Sequence, residues 1–124
     1  MVATMYALPI SREKVHAVRD FVAELLGPRR ESFEESWRRK GIRCEIATLQ
    51  EMPEGSLVLV YLEAEDMAHA FHELAISDTP FDRWYRDQVL DIYGVDLTTA
   101  SGPSTELLAT WEAPGEASTG GEPP

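Results

Sequence analysis

The run Leu57-Val58-Leu59-Val60-Tyr61-Leu62 restricts the fold more than any other stretch of the chain. Its unbroken apolar character reads as a strand. Successive side chains of a strand point to opposite faces, so both faces of this one call for cover. The turn Met52-Pro53-Glu54-Gly55-Ser56 precedes it. Residues 42–50 alternate and read as another strand. Ile42, Cys44, Ile46 and Thr48 face one way, and Arg43, Glu45, Ala47 and Leu49 the other.

The rest of the chain supplies helices and two more strands. Met5-Tyr6-Ala7-Leu8, ended by Pro9, reads as a strand. Ser11 is positioned to cap a helix whose core face carries Val15, Val18, Phe21, Val22 and Leu25, and Gly27-Pro28 stops it. Ser32 and Glu35 have capping-box spacing for a second helical piece, in which Phe33 and Trp37 stack one turn apart. Asp66 opens a helix running to Ile76, with Met67, Ala70, Phe71 and Leu74 inward. Thr79-Pro80 opens the next helix and Gly94 ends it. Phe81, Trp84, Tyr85, Gln88 and Ile92 share its apolar stripe, while Asp82 suits the positive end of the helix dipole. Leu107-Leu108-Ala109-Thr110-Trp111 reads as the last strand.

This order is strand, helix, strand, strand, helix, strand. The predicted fold is α+β, a ferredoxin-like βαββαβ unit with a four-stranded antiparallel sheet and helices on one face. The two-sided run at 57–62 then needs a second cover, and a second copy of the sheet provides one. The expectation is a homodimeric α+β barrel with one domain over residues 1–113. Residues 114–124, rich in Gly, Pro, Ser, Thr and Glu, read as a disordered tail.

A net charge of -11 disfavours nucleic acid as a partner. The basic cluster Arg29, Arg30, Arg38, Arg39 and Lys40 is interleaved with Glu31, Glu34 and Glu35, as on a solvated helix. No stretch is apolar enough to span a membrane, and the N-terminus lacks the layout of a secretion signal. A bacterial-type cytoplasm is the expected compartment. Cys44 has no partner for a disulfide. His69 and His72 have i, i+3 spacing but lie off the apolar stripe, so neither a metal nor any other cofactor is expected.

Residues 41–97 carry a resemblance. Leu49-Gln50-Glu51, the passage Val58-Val60-Tyr61-Leu62-Glu63-Ala64-Glu65-Asp66, and above all Ser77-Asp78-Thr79-Pro80-Phe81-Asp82-Arg83-Trp84-Tyr85-Arg86-Asp87-Gln88 are its basis. They resemble an uncharacterised bacterial family, a domain of unknown function, within the dimeric alpha–beta barrel superfamily. The resemblance implies the fold and the dimer, and no reaction. Wider relatives include cofactor-free monooxygenases, isomerases and stress-response barrels, none of whose catalytic patterns map onto these residues.

The expected function is binding of a small apolar or aromatic molecule between sheet and helices. Trp84, Tyr85, Gln88, Tyr61 and Trp37 are the candidate ligand contacts. The alternatives are a cofactor-free monooxygenase- or isomerase-like enzyme, with Glu45 or Tyr61 moving the proton, and a non-enzymatic regulatory or stress-response dimer. Against every site reading stands the plainer one, that the aromatics fill a core.

Overall fold

The computed structural model describes residues 2–99 and 102–115. The elements are β1 (Val2–Ile10), α1 (Val15–Leu26, entered through a 3-10 turn at Arg12–Lys14), α2 (Arg30–Arg39), β2 (Ile42–Met52), β3 (Gly55–Ala64), α3 (Met67–Ile76) and α4 (Pro80–Tyr93). The sheet is antiparallel and ordered β1-β3-β2, so the 57–62 run occupies its centre. Pro9 lies in β1, an edge strand, which is where a sheet tolerates proline.

The alternation on β3 separates the two faces. Ser56, Val58, Val60, Leu62 and Ala64 are buried, while Leu57, Leu59, Tyr61 and Glu63 are half-buried. Val58, Val60 and Leu62 pack with Val18, Phe21 and Leu25 of α1, Trp37 of α2, Leu74 of α3 and Phe81, Val89 and Ile92 of α4. All four helices thus serve one core, which the register assigns to one face of the sheet. On the other face Met5 and Ile46, both opposite Tyr61, remain 66% and 54% exposed.

The described residues form a three-stranded sheet, not the expected four-stranded one. Residues 107–111 belong to no strand or helix, and Leu107, Leu108 and Trp111 are largely exposed. The run is apolar on both sides of its alternation, and an edge strand of a lone chain has cover for only one side. Thr105 does reach the free edge of the sheet, where its hydroxyl meets that of Thr4 at 2.8 Å, but no ladder follows.

Two local expectations also shift. α2 starts at Arg30, ahead of Ser32, so Ser32 lies inside the helix rather than capping it. Ser11 makes no side-chain cap, and a 3-10 turn stands at that helix entry instead. The other helix signals act as expected. Asp66 accepts the His69 N–H, Thr79 accepts the Asp82 N–H, Pro80 opens α4, and Gly94 closes it at φ 72, a left-handed conformation that suits glycine. No helix among the described residues is long and apolar enough to cross a membrane. Most of the tail, residues 116–124, lies outside the described residues.

Candidate functional site

A cavity of about 1300 Å³ lies between the helix-facing side of the sheet and helices α1, α2 and α4. Phe21, Leu25, Val60 and Val89 give it apolar walls, and it runs outward to the exposed Arg19, Arg38 and Arg43. It exceeds the roughly 300–1,000 Å³ of common small-molecule sites because it includes this open end.

Glu45 enters the cavity from β2, just beyond an irregularity in that strand. Ile42 pairs with Ala64 and Cys44 with Glu63, so Arg43 is an extra residue. This bulge brings Ile42 onto the same face as Glu45, Ala47 and Leu49, which simple alternation had separated. Glu45 pairs across the ladder with Leu62, a core residue, and therefore points toward the helices.

The surroundings of Glu45 are aromatic. Trp37 of α2 donates its indole N–H to Glu45 Oε1 at 2.8 Å. The Trp37 ring packs edge-on against Tyr85 of α4, with centroids 4.9 Å apart, and Tyr85 in turn meets Phe21 at 5.4 Å. Tyr6 comes from β1, opposite Val60, and Tyr93 from the last turn of α4. All of these residues line the cavity.

The electrostatics follow from burial around one carboxylate. Desolvation raises the Glu45 pKa, and the Trp37 hydrogen bond opposes that shift. The Tyr6, Tyr85 and Tyr93 phenols are raised first by burial and then by the Glu45 charge, with Tyr93 pushed up to about 12. Glu45 Oε2 and the three phenol oxygens accept or donate no hydrogen bond within the described residues. No fully buried side-chain oxygen or nitrogen among those residues lacks a partner, so these four atoms must remain accessible.

Trp37, Tyr85 and Glu45, three of the residues singled out from sequence, thus come together. Tyr61 stands on the opposite face of the sheet and donates its hydroxyl to Glu63. Trp84 lies outside the cavity lining, against Phe21 and Phe81, with the Arg29 guanidinium 4.0 Å from its ring centre. Gln88 is half-buried beside the row Tyr85-Val89-Tyr93 and is also absent from the lining. Replacing Gln88 with leucine is therefore expected to alter stability by no more than about 0.5 kcal/mol, as measured by urea unfolding. A larger loss would show a buried partner for the amide.

Tyr6 and Tyr93 belong to the site but were not singled out from sequence. A signal existed for each. Tyr6 and Leu8 alternate on β1, and Tyr93 follows Tyr85 by two helical turns. His69 and His72 are exposed on α3, and the described residues contain no cluster of three or more metal-ligating side chains.

A second polar cluster proves to be structural. Asp82 is fully buried and accepts hydrogen bonds from Ser36 at 2.6 Å, Arg39 at 2.8 Å, Lys40 at 2.9 Å and Thr79 at 2.9 Å, with Ser77 completing the shell. These bonds hold its carboxyl well below the usual range, against the cost of burial. Lys40, 2% exposed, also donates to Ser36, and burial lowers its pKa despite Asp82. The Ser77–Asp82 segment therefore ties the start of α4 to the end of α2.

In comparisons with protein-family models, with curated proteins and with solved structures, nothing matches this chain.

Proposed function

We propose that this protein binds a small apolar or aromatic molecule in the cavity between sheet and helices, and that it does so as a homodimer. The observation that carries the binding reading is the apolar cavity with a few accessible polar atoms on Glu45, Tyr6, Tyr85 and Tyr93. Small-molecule sites share that composition. Trp37 and Tyr85 are the ligand contacts retained from the sequence reading.

The open sheet face supports the dimer. Met5, Ile46, Leu57, Leu59 and Tyr61 form an apolar surface there, and such surfaces mark interaction sites. Two copies stacked face to face would cover both. The order β1-β3-β2 is that of a ferredoxin-like sheet short of one outer strand beside β1. Thr105 touches that edge, and Leu107, Leu108 and Trp111 are the residues a partner would shelter. A second reading, cofactor-free catalysis, is favoured by Glu45 alone. A carboxylate with a raised pKa in an aromatic cavity suits a general base.

The test is calorimetric titration with 2-naphthol. The expected result is saturable binding of one molecule per chain. Ala47→Trp, at an exposed lining position on β2, should weaken it about tenfold with little change in Tm. No saturable heat, or binding indifferent to Ala47→Trp, would count against the cavity as the site.

A further inference from the structure

Glu45 is a carboxylate without a cation. None of the ion pairs among the described residues involves it, and its one hydrogen bond comes from a neutral indole. Arg43, the nearest cation along the strand, is paired with Glu65. Lys40 lies 5.4 Å from the Trp37 ring centre, but Asp82 at 2.9 Å neutralises it. A half-buried carboxylate in apolar surroundings is costly unless it takes up a proton or a positive group joins it, and only the second keeps its charge.

The groups near Glu45 suit such a positive group. Trp37 donates to Glu45, the Glu45 charge acts on Tyr6, Tyr85 and Tyr93, and aromatic rings attract cations. The phenol oxygens of Tyr6, Tyr85 and Tyr93 are accessible acceptors for N–H donors. The net charge of -11 raises the local concentration of cations around the whole molecule. The exposed Arg19 and Arg38 border the outer part of the cavity, where water and salt screen them.

Building on the cavity reading above, we infer that the ligand is an organic amine whose ammonium pairs with Glu45 amid Tyr6, Trp37, Tyr85 and Tyr93, with its apolar body along Phe21 and Leu25. An anionic ligand group at this position would meet the Glu45 charge. A neutral alcohol would make a hydrogen bond but supply no countercharge, and charge-assisted bonds are the stronger kind.

Calorimetry with 2-phenylethylamine, 2-phenylethanol and 3-phenylpropionate at pH 7 tests this. The amine should bind about tenfold more tightly than the alcohol, and the acid most weakly. Glu45→Gln keeps an oxygen for the Trp37 N–H. It should lower amine affinity about tenfold and leave the alcohol within about threefold. Alcohol binding with no preference for the amine, or a preference that persists in Glu45→Gln, would overturn the amine assignment and leave the cavity reading standing. Should Glu45→Gln fail to fold, the ranking of the three probes on the unaltered protein decides alone. Heat from none of these probes, nor from 2-naphthol, would overturn both readings.

Discussion

Asp82→Ala is expected to lower the unfolding free energy by about 3–5 kcal/mol, a large part of the roughly 5–15 kcal/mol that holds a domain of this size. The reason is what the substitution leaves behind. Lys40 would remain buried without its carboxylate, and Arg39, Ser36, Ser77 and Thr79 would each lose an acceptor. Breaking one half of a buried ion pair costs more than the pair contributed, because the other charge stays desolvated. Urea unfolding measures the loss, and a change below about 1 kcal/mol would show that the cluster rearranges freely.

The same carboxylate fixes a pH dependence. Its folded pKa lies below its ordinary value of 3.8, so the folded state binds the proton less readily than the unfolded chain. The stability it supplies is present in full above the unfolded pKa and is lost as pH falls from there through the folded pKa. Acid titration of the unaltered protein should therefore show a steeper fall in stability below about pH 4 than Asp82→Ala shows.

Val60→Asp and Leu59→Asp are expected to separate folding from assembly. Val60 is buried among the helices, so a carboxylate there should cost at least about 3 kcal/mol and prevent stable folding. Leu59 lies on the open face, half-buried in a single chain. Leu59→Asp should leave the secondary structure intact and, on the proposed dimer, shift the protein to monomers. Sedimentation and circular dichroism of both variants provide the check. A folded, monomeric parent protein at micromolar concentration would refute the dimer, whatever the variants do.

Much of this architecture was legible in the chain, for reasons that are local. The unbroken apolar run at 57–62 marked β3, and Asp66, Thr79-Pro80 and Gly94 marked helix ends through their own backbone bonds. What escaped depends on partners distant in sequence. The bulge at Arg43 is set by register against β3 and decides which residues accompany Glu45. Asp82 looked like a first-turn charge, because Ser36, Arg39 and Lys40 lie more than forty positions away. On α4 the row that lines the cavity runs through Tyr85, Val89 and Tyr93, so Trp84 and Gln88 fall beside it. The apolar run at 107–111 marked a segment that seeks cover, but an apolar pattern does not specify what supplies that cover.

If the space around Glu45 is a ligand site rather than a packing defect, a crystal structure of the protein grown with 2-naphthol will show it. One naphthol per chain is expected in the cavity, with its rings against Trp37 and Tyr85 and its hydroxyl within hydrogen-bond distance of Glu45 Oε2 or a phenol oxygen. A cavity closed by its own side chains, or naphthol seated only on the open sheet face beside Met5 and Ile46, would contradict it.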